Sequence, residues 1–130
     1  MSIMSIVRIA SPSRYAPVIG FSSAVQAGGL VFVSGTTAVD GAGAVVGGGD
    51  AYAQTQEILR KIGVVLSAAG SDLSEVLQTR MYLGRQQDWE QVGRAHGEVF
   101  ATHPPAATMV VVELLDPGML VEIEAVARVR

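Results

Sequence analysis

Cysteine is absent from this 130-residue chain, lysine occurs once, at Lys61, and aromatic residues make up only 5%. Without cysteine there can be no disulfide and no thiolate metal site, so packing and hydrogen bonds alone must hold the fold. That suits a reducing compartment, and the cytoplasm is the expected location. Nine cations stand against twelve anions, a net charge of −3, and no basic run interleaved with aromatics is present. Nucleic-acid binding usually leaves such a stripe, so no nucleic-acid partner is expected. Long hydrophobic runs are missing too. Arg8 and Arg14 interrupt the N-terminal apolar stretch, which is far shorter than a signal h-region or the ~20 residues that span a bilayer. Neither a targeting segment nor a membrane partner is expected.

What is abundant is small and apolar. Hydrophobic residues make up 49% of the chain and charged ones 16%, a low charge for a small domain with much surface to cover. The excess suggests that self-association buries part of the apolar surface. Alanine and glycine inflate such counts, however, and a monomer rich in both would give the same figure.

The length fits one domain spanning residues 1–130, with no linker and no internal repeat. Val7–Ala10 alternates weakly. Ser22 to Ala27 and Leu30 to Val39 read as two strands joined at Gly28-Gly29, a hairpin signal. Gly41 to Gly49 reads as a flexible, glycine-rich loop. A helix is predicted from about Asp50, whose carboxylate can cap it, with Ile58, Leu59, Ile62, Val65, Leu66 and Ala69 on one apolar face and Gly70 as its stop. A strand follows at about Glu75 to Leu83. A second helix from near Asp88 places Trp89, Val92, His96, Val99 and Phe100 on one side, with Trp89 filling core, and Pro104-Pro105 ends it. Two last strands, about Thr108 to Leu115 and Leu120 to Val129, flank the turn Asp116-Pro117-Gly118. The order β-β-β-α-β-α-β-β predicts an α+β two-layer sandwich, a mixed sheet with two helices on one face. The other sheet face needs a cover that periodicity does not supply.

Glu122 is the strongest catalytic candidate. Val121 and Ile123 point the opposite way, so Glu122 and Glu124 share one strand face. Two carboxylates at that spacing repel, and an apolar cleft would raise at least one pKa, as acid–base chemistry needs. A solvated edge, or pairing with arginine, is the plainer alternative. His96 is the second candidate, able to move a proton near neutral pH, or simply packed and hydrogen-bonded. Arg80 and Tyr82 share a strand face, where Arg80 can bind substrate or form an ion pair. Gly93 opens space for a substrate ring or lets helices pack closely. His103 reads as loop. No metal spacing and no phosphate-cradling loop is present, so no metal and no cofactor are expected.

Several segments together resemble a known family. Val31-Phe32-Val33-Ser34-Gly35, Ala68-Ala69-Gly70 with Leu73 and Val76, and Thr79-Arg80-Met81-Tyr82-Leu83 with Trp89 and Val92 keep its order and spacing. Pro105-Ala106-Ala107-Thr108 and Glu122-Ile123-Glu124 complete a similarity running from about Arg14 to Arg130. The family is that of the Rid proteins, the reactive intermediate deaminases also called YjgF proteins. The resemblance implies a chorismate-mutase-like fold assembled as a homotrimer, with substrate clefts between subunits, and hydrolysis of enamines and imines with release of ammonia. It places Ser34, Gly35 and Glu122 at kept positions. Four others depart: Phe21 stands at the family's tyrosine, Thr36 at its glutamine, Gly93 at its asparagine and Ala107 at the arginine that grips the substrate carboxylate. Thr108 and Met109 would line the cleft, and backbone N–H groups near Gly35 and Thr108 could stabilise developing negative charge. Losing a bidentate arginine contact costs several kcal/mol of ligand affinity.

The expectation is therefore a small-molecule hydrolase or deaminase acting on an imine, enamine or related metabolite rather than a standard 2-imino acid. The alternative is a non-catalytic trimeric module binding a small ligand or partner in the same cleft. Endoribonuclease activity, known for some members of the family, sits poorly with the acidic balance.

Overall fold

The computed structural model describes residues 5–130. Residues 1–4, which begin the N-terminal apolar stretch, lie outside the described residues. Gly28 and Gly29 both take left-handed backbone, at φ +60° and +81°, as the two central positions of a tight hairpin turn require. They join β2 (Ala24–Ala27) to β3 (Leu30–Thr37), with Ala27 opposite Leu30. A short β1 (Val7–Ile9) pairs with the far side of β2.

Helix α1 (Ala51–Ala68) starts where the sequence predicts. The Asp50 side chain accepts a hydrogen bond from the Ala53 N–H at 3.0 Å. At the other end Gly70 adopts φ +76°, Ser71 N–H donates to the Leu66 carbonyl and Gly70 N–H to that of Ser67. These paired bonds consume carbonyls the helix cannot satisfy itself. After α1 come β4 (Val76–Leu83), α2 (Trp89–Val99), β5 (Ala106–Val111) and β6 (Val121–Arg128).

The six strands form one sheet in the order β1-β2-β3-β6-β4-β5. Only β4 and β5, the pair connected through α2, run parallel. Ile58, Leu59, Ile62 and Leu66 of α1 and Val92 of α2 pack with Val31, Val33, Met81, Leu83, Val121, Ile123 and Ala125 of the sheet. Each such side chain, fully buried, contributes about 1.5–3 kcal/mol. Both helices lie on this one face, the two-layer α+β architecture expected. The opposite face carries Phe32, Arg80, Tyr82, Glu122, Glu124 and Val126, none of them buried.

Some expectations need correction. Strand β5 begins at Ala106 and ends at Val111, not Leu115. Its partner β4 stops at Leu83, so the apolar run beyond Val112 finds no ladder, and Leu115 is 98% exposed. Strand β3 ends at Thr37 because Lys61 Nζ draws the Thr37 and Val39 carbonyls away at 2.7 and 3.0 Å. The glycine-rich loop is tied rather than flexible. Asp40 Oδ1 accepts from the N–H groups of Ala42 and Ala44, and Val46 N–H donates to the Ala38 carbonyl at 2.7 Å. Trp89 does not fill core: it is 54% exposed, as is Val99 to 38%, whereas Asp88, held by Arg85, is buried at that end of α2.

One buried polar residue ties the layers together. Gln54 of α1 is 0% exposed; its Oε1 accepts from Leu120 N–H at 2.9 Å and its Nε2 donates to the Gly118 carbonyl at 2.9 Å. Gln54→Leu keeps the volume but orphans a buried N–H, and chemical denaturation should show a loss of about 1–3 kcal/mol. Unchanged stability would mean that water or a shifted loop replaces these bonds.

Candidate active site

The site grows from an irregularity in the pairing of β3 with β6. Val33 lies opposite Ala125 and Thr36 opposite Ile123, so Ser34 and Gly35 together face the single residue Glu124. Two residues against one make a β-bulge, which bends the strand and re-aims its backbone. Here it brings Gly35 against Glu122. A methyl group at Gly35 would overlap the Glu122 Oε2 and sit 3.1 Å from its Cδ. Gly35 is outside the left-handed region, so the lack of a side chain, not backbone freedom, is what this position uses.

The bulge is held by its own hydroxyls. Ser34 Oγ donates to the Ser22 carbonyl at 2.6 Å and Thr36 Oγ1 to the Ser34 carbonyl at 2.9 Å. Both side chains are committed to backbone and hold the bulge. The Ser34 bond also anchors the segment carrying Phe21, which is 39% exposed at the end of a single wide turn, Ala16–Gly20. Val18 and Ile19 in that turn are exposed to 81% and 69%.

Glu122 and Glu124 project from the same face of β6, as alternation predicts. Their environments differ. Among the described residues Glu122 carries no side-chain hydrogen bond or ion pair, and burial, aided by the charge of Glu124, pushes its carboxyl above the usual 4.5. Glu124 is engaged: the Tyr82 hydroxyl donates to its Oε1, and Arg80 Nη1 lies 3.6 Å from the same oxygen. The register sets this up, with Arg80 opposite Glu124 and Tyr82 opposite Glu122. Arg80 therefore faces the acidic pair from β4 and is already partnered. Tyr82, placed by the sequence only on the same face as Arg80, turns out to touch the acidic pair.

Other candidates do not join this group within one protomer. His96 sits on the helix side of the sheet, where its Nε2 shares a 2.9 Å hydrogen bond with the Thr79 hydroxyl and its ring packs on Phe100 at 4.6 Å. Thr79 neighbours Arg80 on β4 and so points to the other face. His96 is thus a packed, hydrogen-bonded histidine, and within one protomer it does not meet Glu122. Ala107 and Met109 pair with Thr79 and Met81 and share their helix-side face, whereas Thr108 pairs with Arg80 on the open face. Three strand spacings separate Gly35 on β3 from Thr108 on β5, about 14 Å. Their N–H groups cannot meet at one oxyanion in a single protomer. Gly93 lies on the outer surface of α2, in a shallow depression with Tyr52, Trp89 and Arg94. A Cβ there would touch nothing within 4 Å, so close helix packing does not explain this glycine. Among the described residues no three His, Asp or Glu converge as a metal ion would need, and no helix is long and apolar enough to cross a membrane.

Comparison with known proteins agrees with the fold. A family model described as Endoribonuclease L-PSP matches residues 11–129. The chain is 35% identical over 113 residues to the 3-aminoacrylate deaminase RutC of Acinetobacter baylyi, covering 87% of this chain and 90% of that protein. It is 32% identical over 111 residues to a RutC family protein of Pyrococcus horikoshii, covering 85% and 88%. A crystal structure of a Mycobacterium tuberculosis member of the YjgF/YER057c/UK114 family superposes with a TM-score of 0.86 at 40% identity, over 96% of this chain and all (100%) of that one. The chain belongs to this family, the Rid or YjgF proteins, and has their fold.

Two outcomes test the geometry. In Gly35→Ala the flexible Glu122 carboxylate must swing away, so thermal stability should change little while any Glu122-dependent turnover falls at least tenfold. A large fall in melting temperature would show that the bulge itself was broken. His96→Leu should cost about 1–3 kcal/mol by leaving Thr79 unpartnered. Burial pushes His96 below its usual 6.5, so its contribution is present above pH 6.5 and is lost as pH falls through the lower folded value. The variant should lack that part of the acid sensitivity in denaturation curves recorded between pH 7.5 and 5.

Proposed function

We propose that this protein is a small-molecule deaminase that hydrolyses an imine or enamine lacking a substrate carboxylate, in a cleft completed by a second copy of the chain. The observation that carries this reading is Glu122: a half-buried carboxyl against bare backbone, with a raised pKa and, among the described residues, no cation paired to it. A carboxyl group in that state keeps its proton to higher pH than a free one and can exchange it with substrate.

The steps balance on one carboxyl group. Protonated Glu122 gives its proton to the carbon of an enamine, leaving an iminium ion. Water adds to the iminium carbon and returns a proton to Glu122, forming a neutral carbinolamine. Glu122 then protonates the amine nitrogen. The C–N bond breaks, ammonia leaves, and the hydroxyl proton passes back to Glu122 as the carbonyl forms.

The homotrimer expected of this family supports the cleft. Glu122 and the Gly35 backbone lie on one face of the sheet, and Ala107 and Met109 on the other. One protomer alone does not unite them, whereas the open face of one copy meeting the β5 edge of the next would. Association would also cover Phe32, 47% exposed, and Val110, 40% exposed. Self-association and a small molecule are thus the partners we infer. RNA, which the family model's description suggests, fits poorly with a net charge of −3 and a single lysine. Substrate class follows from Ala107, which offers no fork for a carboxylate where the family has arginine. A non-catalytic binding role is the second reading, favoured by the three polar groups lost at Phe21, Gly93 and Ala107.

Ammonia release from matched neutral and carboxylate-bearing imines tests the proposal. Neutral substrates should be preferred, and Glu122→Gln should lower kcat/KM about 10²–10⁴-fold. The same variant should be no less stable at neutral pH. Glu122 contributes stability while protonated, fully so below its ordinary 4.5, and loses it as pH rises through the higher folded value. Wild-type rates retained by Glu122→Gln would end this mechanism, and a co-purifying ligand with no ammonia release would favour the binding role.

A further inference from the structure

The proposed chemistry needs a reason for Glu122, rather than Glu124 two residues on, to carry the proton. Cross-strand contacts supply one. Arg80 and Tyr82 reach the pair from β4, and both touch Glu124 at the same Oε1 atom. On the other side β3 offers Glu122 only Gly35 and, in register, Thr37, neither of which titrates. Among the described residues, the charged and titratable groups facing Glu122 are therefore Glu124 from its own strand and Arg80 and Tyr82 from β4.

We propose that Arg80 and Tyr82 are positioning residues that pin the Glu124 carboxylate beside Glu122, so that Glu122 serves as the proton donor of the site. This rests on the deaminase reading above and adds a division of labour between the two acids. Glu124 holds negative charge in place because two donors satisfy it. Glu122, with no donor of its own, feels that charge across one strand repeat and keeps its proton more readily. Tyr82 remains a phenol under these conditions, since its bond to Glu124 pushes its pKa above the usual 10.0. Two of these groups, Arg80 and Glu124, also line a shallow hollow on the open sheet face with Phe32, Gln78 and Val126. Covering that hollow in an assembly would strengthen the coupling by removing screening water.

Two readouts on the intact protein test this: the titration of the Glu122 side-chain carbon by NMR, and the pH dependence of kcat/KM for ammonia release from a neutral imine. Glu124→Gln removes the charge and keeps the shape. It should move the Glu122 midpoint to lower pH and cut the proton-donor-limited rate at pH 7 roughly 3–10-fold. Tyr82→Phe should move the midpoint the same way by a smaller amount, because Glu124 is then held only by the longer Arg80 contact. A Glu122 midpoint unmoved by both substitutions overturns the proposal, even if turnover falls. A midpoint that moves in protein that releases no ammonia upholds the coupling and rejects the deaminase reading instead.

Discussion

The close approach of the Gly35 backbone to the Glu122 carboxyl group is the constraint on which the site depends. It exists because β3 spends one residue more than β6 in the same stretch, and because the residue that arrives opposite the acid has no side chain. Several otherwise unremarkable groups serve that approach. Ser34 and Thr36 use their hydroxyls to hold the bulge. Lys61, pushed below its usual 10.5 by burial, ends β3 just beyond it by taking the Thr37 and Val39 carbonyls. An acid held in this way loses water without gaining a cation, which raises its pKa above that of a free carboxyl group.

The sheet divides the molecule by chemistry. Toward the helices neutral polar groups are buried in pairs, His96 with Thr79 and Gln54 with the β5–β6 turn, which lets them be buried cheaply. Toward the open face lie the ionised groups of β4 and β6, partnered unequally. Within a single protomer this open face and the helix-side face that carries Ala107 and Met109 stay apart.

How much was legible in advance depended on the range of the interaction. The Gly28-Gly29 turn, the Asp50 cap and the Gly70 stop were readable because each is decided within a few residues. So was the sharing of a face by Glu122 and Glu124, since strand alternation is local. Trp89 was misread because helical periodicity names a face without saying how far the core extends beneath it. His96 looked like a proton carrier for the same reason: its neighbours in sequence are apolar, but only the pairing of β4 shows that it meets Thr79 on the side away from Glu122.

Composition and order of residues thus determined the element sequence, the two-layer class and, through the Ser-Gly and Glu-Ile-Glu strands, the family. Those properties follow from backbone preference and periodicity, which act over one or two turns. Which acid is free and which is clamped was settled by strands far apart in the chain coming into register: β3 with β6 for Gly35 and Glu122, β4 with β6 for Tyr82, Arg80 and Glu124. A one-residue slip in either pairing would send these side chains to the opposite face, and the partners brought into register lie far apart in the chain.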